Sequence, residues 1–123
     1  MTTQKKRVLV VDDEKDIRRL LSDFLSSEGF EVSIAKDGVE SLDQMRVNSF
    51  DLVITDLHMP RMDGIEMLKH MEQASRRVKV IVMTADPTDR RLSEIRMPHI
   101  VTQLNKPFRM DNFLNVVIAA TAN

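Results

Sequence analysis

The fold this sequence predicts is a single α/β domain built on a parallel, doubly wound sheet of five strands. Two observations carry the prediction. Short apolar runs alternate with stretches of helical period along the chain, the pattern of a sheet whose right-handed crossovers place helices on both faces. The first, third and fourth runs are almost wholly apolar, as strands buried on both sides must be. The second and fifth carry Ser33, Thr102 and Gln103, which an edge tolerates.

The elements follow in order. Arg7–Val11 opens the sheet. Ile17, Leu20, Leu21, Phe24 and Leu25 recur at i, i+3, i+4, i+7 and i+8, one face of an amphipathic helix, and Gly29 stops it. Val32 and Ile34 alternate with Glu31 and Ser33 in a half-buried second strand. Asp37-Gly38 opens a helix that turns Val39, Leu42 and Met45 inward. Leu52-Val53-Ile54-Thr55-Asp56 is the third strand, and Pro60 bars its regular continuation. Asp63-Gly64 opens a helix with Ile65, Leu68 and Met71 on one side. Val78–Met83 is the fourth strand and ends on Thr84. Asp86-Pro87-Thr88-Asp89 has the chemistry of a helix N-cap followed by proline, and that helix should stop before Pro98. Ile100–Asn105 is the fifth strand, ending at Lys106-Pro107. The last helix carries Met110, Phe113, Leu114, Val117 and Ile118. The pattern is (βα)5, with strands one, three and four central, and it fits the 2-1-3-4-5 order of the flavodoxin-like sheet.

A length of 123 residues matches one domain over 1–123, with a core from about residue 6 to 120. A net charge of -1 gives no pull toward nucleic acid or an acidic membrane. The absence of cysteine excludes disulfides, thiol catalysis and zinc–thiolate sites. Met1–Lys6 lacks an apolar signal region, and no run reaches membrane-spanning length. A cytoplasmic chain without direct nucleic-acid or membrane contact is the expectation.

Sheets of this order bind ligands beyond the carboxyl ends of their strands, at the switch point between the first and third. Asp12, Asp13 and Asp56 fall at that place. Neighbouring strands lie roughly 4.8 Å apart, and like charges that close raise each other's pKa unless a cation neutralises them. Thr84 and Lys106 end the fourth and fifth strands on the same edge. Singly, each of these residues reads as a cap, a turn former or a solvated head group. Jointly they differ, because four strands of five end in a group that handles phosphate and metal. Carboxylates with a backbone carbonyl are hard oxygen ligands suited to Mg2+, and an aspartate carboxylate is a covalent phosphoryl acceptor. Phosphoryl transfer chiefly requires positioning and charge neutralisation, which the Lys106 ammonium and Thr84 hydroxyl add to the metal. An already ionised Asp56 needs no general base.

Val-Val-Asp12-Asp13-Glu14, Asp56-Leu-His-Met-Pro60 with Asp63-Gly64, Val-Met-Thr84-Ala85 and Lys106-Pro107-Phe108 resemble the receiver domain of bacterial two-component response regulators, over about Lys6 to Ala120. The resemblance implies a phosphorylation-activated switch, regulatory rather than an enzyme on external substrate, that speeds its own phosphorylation and dephosphorylation. Asp56 would be the phosphoacceptor and a ligand of Mg2+. Asp13 would hold the metal directly, Asp12 through water, and the backbone carbonyl of His58 would complete the site. Thr84 would be the switch hydroxyl and Lys106 the phosphate-binding lysine, with a cis Lys106–Pro107 bond. A sensor histidine kinase or phosphotransfer protein would dock on the first-helix surface (Lys15, Arg18, Arg19, Asp23), and a downstream protein or output domain would read the result. Phosphorylation adds roughly 1.5 to 2 negative charges, and Thr84 would move to meet them, dragging Ala85, Asp86 and Pro87. Two departures stand out. Gln103 occupies the place of the usual aromatic, and a glutamine fills an apolar pocket only at a cost. His99-Ile100 replaces the common Gly-Ala, and with Pro98 it implies a short or irregular fourth helix and non-standard signalling from that face.

Other residues have simpler readings. His58 and Asp86 flank the acceptor and are candidates for setting hydrolysis; His70 and His99 read as surface. Met45, Met67, Met71 and Met83 read as core fillers, and Met59 and Met62 as candidates for a docking surface. Arg76-Arg77 and Arg90-Arg91 read as solvated. The alternative of a Mg2+-dependent phosphatase with an aspartate nucleophile wants a carboxylate where His58 stands, and a cap domain. An FMN protein wants a Ser-, Thr- and Gly-rich loop where Asp12-Asp13-Glu14 stands. A stand-alone regulator and the receiver of a longer one both remain open.

Overall fold

Five short apolar segments lie side by side, all parallel, in the order β2-β1-β3-β4-β5. The computed structural model describes residues 4–57, 59, 62, 64–73, 78–90 and 100–122. Its elements are β1 (Arg7–Val11), α1 (Lys15–Ser27), β2 (Glu31–Ala35), α2 (Gly38–Val47), β3 (Leu52–Asp56), α3 (Gly64–Gln73), β4 (Lys79–Thr84), β5 (Ile100–Asn105) and α4 (Met110–Thr121). The strand order is the one the sequence predicts. The helix expected between Asp86 and Pro98 falls largely outside the described residues, as do Arg76, Arg77, Arg91 and His99.

Alternation along each strand supplies two cores. Leu9, Val11, Val53, Val80 and Val82 meet Met45, Met67, Leu68 and Met71 from α2 and α3 on one face. Val8, Val10, Leu52, Ile54, Ile81 and Met83 meet Leu21 and Leu25 of α1 and Phe113 and Val117 of α4 on the other. Strands covered on both faces must be apolar at every position, which is why the central runs carry no alternation.

The periodicity misplaces several side chains. Ile34 is 43% exposed, because β2 is an edge strand paired with β1 alone. Ile118 is 51% exposed, since α4 buries Phe113, Val117, Ala120 and Thr121 instead. Leu20 is 53% exposed and lines a surface groove. On α2 the buried face is Gly38, Ser41 and Met45. Ser41, absent from the apolar pattern, donates its hydroxyl to the Met67 sulfur at 2.8 Å, and Val39 and Leu42 are only half-buried. Met59 is no docking residue: it is buried in the α2–α3 core, with Met62 packed against it.

Two glycines stand where a side chain would be strained or blocked. Gly29 turns the chain out of α1 at φ +94°. Gly64 donates its N–H to the Leu57 carbonyl at 2.9 Å, and a Cβ there would collide with the Asp56 backbone carbonyl. The chain after Asp56 therefore folds back directly onto the end of β3. Gly64→Ala should cost about 2–3 kcal/mol, read in urea unfolding as a lower midpoint at unchanged slope; an unaltered midpoint would contradict this close approach.

Candidate functional site

β1 and β3 are neighbours with Val11 level with Thr55, so the residues that follow, Asp12 and Asp56, emerge together at the carboxyl edge. Carboxylate oxygens of Asp12, Asp13 and Asp56 lie within 4.8 Å of one another. Asp12 is fully buried, Asp56 nearly so, and Asp13 is exposed. The three predicted acids are thus brought together, and the set offers hard oxygen donors on a partly open site, which fits a divalent cation such as Mg2+. His58, expected to add a carbonyl, lies outside the described residues.

Lys106 arrives from the far side of the sheet. Its Nζ is 2.8 Å from Asp56 Oδ2 and 3.4 Å from Asp12 Oδ2. The backbone fixes its root: Lys106 N–H donates to the Thr84 carbonyl at 2.8 Å, and the following Lys106–Pro107 bond is cis. Phe108 then stacks on Phe113 with centroids 5.4 Å apart, anchoring the loop to the buried ring of α4.

Asp12 is held at every polar atom. Its N–H donates to Ala35 at 3.2 Å, Oδ1 accepts from the Glu14 N–H at 2.9 Å, and its carbonyl accepts from Arg18 Nη1 at 2.7 Å. Burial raises its pKa above the ordinary aspartate value; the Glu14 bond and Lys106 oppose this, and the Asp56 charge reinforces it. For Lys106 burial is the largest influence and pulls the ammonium down. The hydrogen bond to Asp56 and the charges of Asp12 and Asp56 outweigh it, so the pKa rises. The stability Lys106 contributes is therefore complete below 10.5 and lost as pH climbs through its raised value.

Thr84 is buried at the same edge, but its hydroxyl faces the following loop. It donates to the Asp86 carbonyl and accepts from the Asp86 N–H, both at 3.0 Å. The Asp86 carboxylate is turned toward Thr88, accepting from its N–H at 3.0 Å and its hydroxyl at 2.6 Å. In this arrangement it caps a turn. Gln103 is exposed on β5 and its amide donates to Asn105 at 3.0 Å. His70 and Arg90 are exposed, as the sequence implies. Two contacts escaped the sequence: the Arg18–Asp12 bond, and the Gly38 N–H donated to the Met62 carbonyl at 3.2 Å. Neither has a sequence signature, since Arg18 reads as one of several charges on an exposed helix face. Beside Lys106 an apolar groove of about 380 Å³ is lined by Ile17, Leu20, Leu21, Ala85, Pro107, Phe108 and Met110.

The comparisons with known proteins agree with this geometry. The response regulator receiver domain model matches residues 8–118, and the chain belongs to that family. It is 35% identical over 112 residues to sporulation initiation phosphotransferase F of Bacillus subtilis (strain 168), covering 91% of this chain and 90% of that protein. It is 36% identical over 109 residues to response regulator MprA of Mycobacterium sp. (strain KMS), covering 88% of this chain and 47% of that longer protein. Among solved structures, response regulator TrrA of Thermotoga maritima in complex with Mg2+–BeF superposes with TM-score 0.82 at 34% identity, covering 94% and 98% of the two chains. Chemotaxis response regulator CheY4 of Vibrio cholerae gives 0.85 at 28% identity, covering 95% and 99%. The fold is CheY-like, and the domain is a regulatory one of two-component signalling rather than a classical enzyme. Among the described residues no helix is long and apolar enough to cross a membrane.

Because the raised Asp12 pKa lies above 3.8, its ionised form costs stability above the folded value, and the cost vanishes once pH falls below the unfolded one. Without divalent cations, Asp12→Asn should therefore melt higher than the native protein at pH 7, with the gain shrinking toward pH 4. Circular dichroism melts over that range check it, and a lower melting temperature at pH 7 would contradict it.

Proposed function

We propose that residues 1–123 act as one receiver domain that accepts a phosphoryl group on Asp56 from a phosphohistidine of a sensor histidine kinase or phosphotransfer protein, in a Mg2+-dependent reaction in the cytoplasm. The observation that carries this is the Lys106 ammonium 2.8 Å from Asp56, amid acids within 4.8 Å. An Asp56 oxygen attacks phosphorus, the P–N bond breaks, and its electron pair leaves with the imidazole; the product is an acyl phosphate. Lys106 then transfers its hydrogen bond from the carboxylate to a phosphoryl oxygen. Asp12, Asp13, Asp56 and the His58 carbonyl would hold Mg2+, which supplies positive charge to the phosphoryl oxygens. Hydrolysis by water returns Asp56 and inorganic phosphate. The TrrA complex with Mg2+–BeF supports the reading.

The switch follows from the same edge. Thr84 leaves its turn with Asp86 to bond the phosphoryl group, and residues 85–87 follow. Gln103, paired with Asn105 on the surface, reports that motion by polar contacts in place of a rotating ring, and a downstream protein or output domain reads it. The donor docks on α1 and the groove beside Lys106, where Leu20 is left uncovered, and no nucleic acid or membrane is contacted directly.

Incubation with acetyl phosphate and Mg2+ should add about 80 Da to the intact mass. Asp56→Asn should abolish the gain, chelation of the metal should suppress it, and Lys106→Ala should slow it about a hundredfold. An equal gain in Asp56→Asn would overturn the assignment.

A further inference from the structure

Two adjacent arginines on α1 have different surroundings. Arg19 is exposed and pairs at 3.8 Å with Asp23, one turn along the same helix. Arg18 is half-buried, and its Nη1 donates to the Asp12 carbonyl at 2.7 Å. Side chains on a helix lean toward its N-terminus, so an arginine one turn into α1 reaches the peptide that leads from β1 into the acid turn. That peptide joins Asp12 to Asp13, and its orientation sets where both carboxylates point. The carbonyl follows the last strand residue and precedes α1, so neither the sheet ladder nor the helix ladder fixes it. The Arg18 guanidinium does.

We infer that Arg18 is a positioning residue for the divalent-cation site: its hydrogen bond to the Asp12 carbonyl holds the Asp12–Asp13 peptide in the orientation that turns both carboxylates toward Asp56. The inference rests on the reading of Asp12 and Asp13 as cation ligands. Charge and positioning act here with opposite signs. A guanidinium beside a cation site repels the cation, so loss of its charge alone tightens binding. Loss of the tether loosens it, because groups that orient metal ligands typically carry a factor of ten or more in affinity.

Calorimetric titration of the unphosphorylated full chain with MgCl2 separates the two. Arg18→Met should bind Mg2+ about tenfold more weakly than the native chain, despite having lost a positive charge. Arg19→Met, which removes the same charge from the same helix, should bind within about twofold of native, on the tighter side. Arg18→Lys keeps the charge and one donor but not the planar fork, and should fall between native and Arg18→Met; it carries the test should the methionine variant not fold. A second readout needs no metal: amide exchange at Glu14, whose N–H is held by Asp12 Oδ1, should accelerate in both Arg18 variants and not in Arg19→Met. Binding by Arg18→Met as tight as native, with unchanged Glu14 exchange, would overturn the inference. If the native chain binds no Mg2+, the ligand reading beneath it falls, and the inference with it.

Discussion

A lysine ammonium shared unequally between two buried carboxylates is the interaction on which the rest of this edge depends. Like unit charges about 4 Å apart repel by roughly 4 kcal/mol at the effective dielectric of a protein surface. Asp12, Asp13 and Asp56 lie within 4.8 Å of one another and therefore require positive charge from elsewhere. Lys106 provides some, but it sits at 2.8 Å from Asp56 and at 3.4 Å from Asp12. Asp12, fully buried, is the less compensated of the two, and its pKa is raised even with an ammonium in contact. The same acids are hard oxygen donors that suit a divalent cation, whose charge would relieve the cost of keeping Asp12 ionised.

Topology delivers these groups to one place. Asp12 and Lys106 are separated by 94 positions, yet parallel strands all present their carboxyl ends on the same side, and β1 and β3 lie at the centre of the sheet. The loops then fix orientation. Gly64 lets the chain after β3 fold against Asp56, and stacked Phe108 and Phe113 hold the Lys106 loop to α4. Thr84 stands apart from this rigid set. Its hydroxyl is satisfied by the Asp86 backbone, so any new partner for it must displace bonds to the exposed loop that follows β4.

Much of this was legible in the residues. Unbroken apolar runs such as Leu52–Ile54 identify central strands, because only a strand covered on both faces avoids polar residues, and the acids and Lys106 were found because they close such runs. Edges and small residues were harder to read. Ile34 and Ile118 look like core by period yet lie half-open, since hydrophobicity does not say whether a neighbour covers the position. Ser41 looks like surface yet is buried against Met67, because close helix packing favours a small side chain that finds one partner. Arg18 could not be told from Arg19, as nothing in the order of residues reveals which guanidinium folds back onto the strand end. Thr84 was found at its position, but its present engagement with Asp86 depends on loop geometry that local chemistry leaves open.

The most direct test of the acidic edge as one cation-dependent unit is a Mg2+ titration followed by side-chain carboxyl 13C resonances. Asp12, Asp13 and Asp56 should shift together along a single saturation curve, while the solvent-exposed carboxyls of Asp23 and Asp43 stay still. Movement of the exposed groups alone, or separate curves for the three site carboxyls, would contradict the account.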